Sequence, residues 1–125
     1  MRNALFKGFV GTGKQITVHN NPDRPLLQIF EGFMDFLSYL SMDRPTQPAG
    51  TVLVLNSTNL WRSALPYIND LSFEEVRLYL DNDDAGEAAT RKLFENAQNN
   101  ARLSDMRQHY AGFEDLNAWL MDRVT

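Results

Sequence analysis

Apolar residues bunch into short runs along this chain, and the runs are spaced by helical patterns. Leu26-Leu27-Gln28-Ile29-Phe30 and Thr51-Val52-Leu53-Val54-Leu55 are near-continuously apolar, as strands covered on both faces must be. Glu75–Leu80 reads as a third strand, Gln15–His19 alternates like an edge strand, and Asp105–His109 is a weaker fourth core strand. Between them, Phe33, Phe36, Leu37 and Leu40 recur at helical spacing and predict a helix over 33–42. Leu60, Trp61, Ala64, Leu65 and Ile68 predict another, kinked at Pro66. Ala85–Ala101 and Phe113–Val124 complete the set, with Leu93 and Phe94 on the inner face of one and Leu116, Trp119 and Leu120 on the other. Strands alternating with helices imply right-handed crossovers. The expected architecture is therefore α/β: about four mainly parallel strands with helices on both faces.

Length and composition change this picture little. The 125 residues, 43% of them hydrophobic, suit one domain with its own core. Residues 1–14 are Gly-rich and weakly patterned and read as an N-terminal arm before a domain over 15–125. With no cysteine, disulfides and thiolate metal sites are excluded. No apolar run reaches the ~18 residues of a membrane span, and the first residues lack the apolar stretch of a signal peptide. The expected setting is the cytoplasm, with no membrane partner.

Charge matters more for where it lies than for its sum. The net charge of −4 does not mark a nucleic-acid surface. Yet residues 1–30 carry Arg2, Lys7, Lys14 and Arg24 against Asp23 alone, and the acids gather elsewhere. Leu26–Phe30 runs straight into Glu31-Gly32, with Asp35 a helical turn on. Val76–Leu80 runs into Asp81-Asn82-Asp83-Asp84-Ala85-Gly86. In a parallel sheet the carboxyl ends of the strands open on one edge, where ligands bind. Glu31, Asp81 and Asp83 are expected to converge there. At an effective dielectric of about 20, two like charges ~4 Å apart repel by on the order of 4 kcal/mol. Either some carboxyls stay protonated or a divalent cation neutralises them. An all-oxygen donor set selects a hard ion, Mg²⁺ first and Mn²⁺ second. Phosphoryl or nucleotidyl transfer is the matching reaction class.

The pair Glu31-Gly32-Phe33-Met34-Asp35 and Asp81-Asn82-Asp83-Asp84-Ala85-Gly86 resembles the Toprim domain of topoisomerases and primases, in the form seen in bacterial replicative primases. The stretch Glu31–Leu40 looks closest to primase-like proteins of bacterial mobile elements. The resemblance covers roughly residues 15–125 and implies a Toprim, Rossmann-like fold. It implies Glu31 as the acid/base, Asp81 and Asp83 as the metal-binding pair, and Asp35 and Asp115 as further acidic ligands. It also implies RNA primer synthesis on a DNA template from nucleoside triphosphates. The partners implied are a replicative helicase or other domains of the same protein. Two positions depart from the pattern: Asn117 stands where a second Asp is common, and Asp84 where a basic residue is common. Such primases also have a zinc-binding module and a basic subdomain, so the chain reads as a fragment of a longer protein.

Other readings of the same residues compete. A solvated loop of helix-capping acids explains Asp-x-Asp without any ligand, and dipole stabilisation explains Asp35. A calcium loop counted from Asp81 places Ala85 and Lys92 where oxygen ligands are required. A haloacid-dehalogenase-like phosphatase shares the strand-Asp-x-Asp pattern but usually opens its domain with it. Gly8–Gln15 nearly spells a phosphate-binding loop, but Gln15 replaces its hydroxyl residue; Lys14 stays a candidate phosphate contact, as do Arg91 and Lys92 on the long helix. His19 and His109 read as structural. Within the Toprim reading, a nuclease or a non-catalytic DNA- or protein-binding module are the alternatives to a primase.

Overall fold

The computed structural model describes residues 9–10, 16–21, 23–43 and 50–124. Its elements in chain order are β1 (Phe9–Val10), β2 (Thr17–His19), β3 (Leu26–Phe30), α1 (Phe33–Asp43), β4 (Thr51–Val54), α2 (Trp61–Ile68), β5 (Glu75–Tyr79), α3 (Asp84–Asn96), β6 (Leu103–Asp105) and α4 (Leu116–Val124). They form one sheet in the order β1-β2-β4-β3-β5-β6. Strands β4, β3, β5 and β6 are parallel, and β1 and β2 add an antiparallel flank. The expected α/β architecture stands. No helix among the described residues is long and apolar enough to cross a membrane.

Side chains alternate across each strand, so the two faces receive different residues. One face carries Leu27, Ile29, Leu53, Leu55, Val76, Leu78 and Leu80, covered by Trp61, Ala64 and Ile68 of α2 and Ala89 and Leu93 of α3. The other carries Phe30, Val52, Val54 and Tyr79, covered by Phe36 and Tyr39 of α1, Tyr110, and Leu116 of α4. Phe30 and Tyr79 stack at 4.6 Å. Gln28 is wholly buried beneath them and hydrogen-bonds the hydroxyls of Tyr39 (3.3 Å) and Tyr79 (3.5 Å).

Chain direction fixes where a ligand can enter. From β3 the chain crosses through α1 to β4 on one side; from β5 it crosses through α3 to β6 on the other. The switch point of the sheet therefore lies between the carboxyl ends of β3 and β5, the position where open α/β sheets bind ligands.

Several boundaries differ from expectation. The last strand is Leu103–Asp105, not Asp105–His109, and Arg107–Tyr110 is a 3-10 turn. Asp105 turns the chain out of the sheet: its carboxylate accepts from the Arg107 backbone N–H at 3.1 Å and pairs with the Arg107 guanidinium at 2.9 Å. Helix α3 stops at Asn96 rather than 101, because the Asn99 side chain starts a separate 3-10 turn and Asn100 Nδ2 donates back to the Phe94 carbonyl. Helix α4 begins at Leu116 rather than 113. Helix α2 ends two residues after Pro66, which offers no N–H to the Arg62 carbonyl. β2 is not an edge within this sheet, because Phe9–Val10 of the N-terminal arm pair outside it. Lys14 and the rest of the phosphate-loop-like stretch, apart from Phe9 and Val10, lie outside the described residues.

Candidate metal centre

β3 and β5 are immediate neighbours with Phe30 opposite Tyr79, so the residues that follow each strand emerge side by side. The Asp81 backbone N–H donates to Glu31 Oε1 at 3.0 Å, closing a gap of 50 residues in sequence. Carboxylate oxygens of Glu31, Asp81 and Asp83 all lie within 4.8 Å of one another. Oxygens of Asp35, Asp81 and Asp115 do the same. The five acids expected from the sequence thus gather as two triads that share Asp81. Arg91 and Lys92 are exposed on α3, with Lys92 Nζ 5.7 Å from the Trp61 ring centre rather than among the acids. His19 belongs to neither triad, nor does His109.

Four of the five acids hold one oxygen against a backbone amide. Glu31 accepts from Asp81, Asp35 from Asn117 (3.1 Å), Asp83 from Gly86 (2.7 Å) and Asp115 from Ala118 (2.7 Å). Asp83 and Asp115 thereby cap the first turns of α3 and α4, so the helix-capping reading of the acids holds for one oxygen of each. These bonds fix the orientation of each carboxylate. Asp81 differs: its Oδ1 is buried and has no hydrogen-bond partner. A buried carboxylate oxygen left bare is costly unless something charged meets it.

The electrostatics agree. Burial, then the hydrogen bond and charge of Glu31, then the charges of Asp35 and Asp115, push Asp81 up to about 8. Burial and the charges of Asp115 and Glu31 push Asp35 up to about 6, against the lowering effect of its bonds from the Asn117 and Gly32 amides. Both shifts record negative charge packed together in a partly dry place. The donor set is all oxygen, as Mg²⁺ or Mn²⁺ prefers, and Asp81 presents an unsatisfied oxygen where the triads meet. The residues fit a hard divalent cation.

The frame around the acids was less visible in the sequence. Gly86 is the third residue of α3, and a Cβ there would collide with the Asp81 backbone. Its role is close approach of α3 to the Asp81 backbone. Tyr110 is fully buried and donates from its hydroxyl to the Leu80 carbonyl at 2.6 Å; burial and the nearby acids hold its pKa well above the usual phenol range. Asn117, where a second Asp was expected, accepts from Ser38 Oγ at 2.9 Å while its amide serves Asp35. Asn82 bonds only to the segment 107–114: its Nδ2 lies 3.3, 3.2 and 3.0 Å from the carbonyls of Arg107, Tyr110 and Phe113, and its N–H donates to Glu114 O at 2.6 Å. An Asn between two candidate ligands was the available signal.

These features define a Toprim-type α/β domain, and comparison with known proteins agrees. A family profile described as Toprim-like matches residues 28–120, and the chain belongs to that family. Among solved structures, it is similar to the primase fragment of the bacteriophage T7 primase-helicase protein, with a TM-score of 0.68 at 17% identity, over 91% of this chain and 47% of that one. It is also similar to a chain of the bacteriophage T7 lagging-strand DNA polymerase assembly, in which the polymerase interacts with primase domains of two subunits bound to an RNA/DNA hybrid and dTTP. There the TM-score is 0.65 at 14% identity, over 92% of this chain and 57% of that one. The chain thus spans about half the length of these structures. No curated protein sequence matches it.

Proposed function

We propose that this chain is the Mg²⁺-dependent catalytic Toprim domain of a primase-like protein, joining ribonucleotides into primers on a DNA template. The observation that carries the reading is the bare, buried Asp81 Oδ1 at the junction of two carboxylate triads. Asp81 and Asp83, with Asp35 and Asp115 on the inner side, would hold the ion. When bound, Mg²⁺ supplies charge neutralisation for phosphate and a clamp on the attacking and leaving oxygens. Glu31 keeps one oxygen on the Asp81 amide and uses the other to take the proton of the attacking hydroxyl. The exposed Arg91 and Lys92, and Lys14 from the arm, are the candidates for contact with the nucleic-acid backbone. Likeness to a phage primase-helicase fragment supports template DNA, nucleoside triphosphates and a helicase as partners, and supports a primase of the mobile-element kind.

The test is calorimetric titration with Mg²⁺ and Mn²⁺, followed by incubation with single-stranded DNA, ribonucleotides and metal. The parent should bind the ion, and the Asp81→Asn, Asp83→Asn double variant should not. Glu31→Gln should keep the ion and lose about 10²-fold or more in oligomer formation. Equal metal binding by parent and double variant overturns the site. Shortened template in place of new oligomers assigns a nuclease instead.

A further inference from the structure

The second triad depends on the loop 107–114, which packs on the sheet through the buried Tyr110 but whose far end, next to Asp115, has to be set separately. Asp115 follows the 3-10 turn Arg107–Tyr110 and the segment 111–114, and both α3 and β6 separate it in sequence from β5. Two fastenings bring it in. From α1, Asp35 accepts the Asn117 amide and Ser38 donates to the Asn117 side chain. From the other side, Asn82 grips three carbonyls with one amide group and a fourth with its own N–H. The chain bends at Asn82 and Asp83, and the acids on either side of Asn82 meet Glu31 in the outer triad while the Asn82 side chain goes to the loop. A carboxamide suits this position because its NH₂ carries two donors, which a carboxylate lacks.

We infer that Asn82 is a positioning residue that seats Asp115 beside Asp81 and Asp35, so that the inner cation position binds at full strength only while Asn82 holds the 107–114 loop. The inference rests on the cation-binding reading above. The outer triad of Glu31, Asp81 and Asp83 needs nothing from that loop and survives its release. Asn82 thus separates two positions that share a ligand, and touches neither ion.

The experiment is Mn²⁺ titration of the whole chain, counting bound ions by electron paramagnetic resonance in the parent, Asp115→Ala, Asn82→Ala and Asn82→Ser. The parent should take up two ions. Asp115→Ala should keep one, and Asn82→Ala should match it, with the second ion weakened by about 10-fold or more. Asn82→Ser retains one donor and should fall between Asn82→Ala and the parent, which a general loss of folding would not produce. The Asn82→Ala, Asp115→Ala double variant should be no worse than Asp115→Ala alone. If Asp115→Ala loses an ion while Asn82→Ala or Asn82→Ser binds two at parental affinity, the positioning role is overturned and the cation reading stands. If the parent takes up one ion, or Asp115→Ala binds as the parent does, the inner position is no cation site and the positioning role falls with it; a parent that binds no ion overturns the cation reading as well.

Discussion

Under α2 and α3 the sheet presents leucine, isoleucine and valine; under α1 and α4 it presents Phe30, Tyr79 and the buried amide of Gln28. Both faces bury the sheet under two helices, but they are fastened differently. The first rests on apolar burial, which has no preferred direction. The second adds directional bonds: Gln28 to two tyrosines, Tyr110 to Leu80, Ser38 to Asn117, Asn117 to Asp35. The inner triad is built on the directional side, since Asp35 belongs to α1 and Asp115 opens α4. A face that must hold carboxylates at fixed separations cannot rely on packing that tolerates repacking.

The sharpest way to separate the faces is Leu78→Ala. Leu78 is wholly buried on the aliphatic side, and its truncation should cost about 2–5 kcal/mol in urea unfolding. The pH dependence of stability should stay parental; if it disappears, the faces are not independent. A second measurement addresses that dependence directly. Asp35 and Asp81 titrate at about 6 and about 8, above the ordinary 3.8, so the native state keeps protons that the unfolded chain has released. Without divalent cations, the stability that these two carboxyls contribute is full near and below pH 4 and is lost as pH rises through 6 and then 8. The total fall should be on the order of 2 kcal/mol once partial solvent access is allowed for. Asp81→Asn should flatten most of it, and Mg²⁺ should restore stability at the alkaline end. A melting temperature that rises between pH 5 and 8 in the metal-free parent contradicts this. The smallest effect is expected from Tyr110→Phe, which removes one buried bond to Leu80 and should cost about 1 kcal/mol by thermal unfolding. A loss as large as that of Leu78→Ala would show that the directional face is held chiefly by this bond.

The alternation of strand and helix was legible because β3 and β4 are near-continuously apolar and α1 repeats its aromatics at helical spacing. The meeting of Glu31 with Asp81 and Asp83 was legible too, since each follows a buried strand whose direction the crossovers dictate. Of the residues that complete the second triad, Asp35 was noticed by its place one helical turn beyond Glu31, while its role as a ligand and Asp115 itself came through the family resemblance. Periodicity failed at 103–110, where Asp105 bonds its own neighbour and turns the chain, an effect of one side chain that no window average carries. It failed again at the end of α3, for the same reason at Asn99 and Asn100. Asn82, Tyr110 and Asn117 were invisible as a frame because their partners are backbone groups, or side chains up to 82 residues away.

The adjacency of β3 and β5 also orders events during synthesis. A ribosome releases Glu31 and Asp35 well before Asp81, and the half-made chain carries two isolated acids with no grip on a divalent ion. The carboxylate cluster arises only when the strand numbered later slides in beside the earlier one, so a product terminated before β5 cannot assemble it.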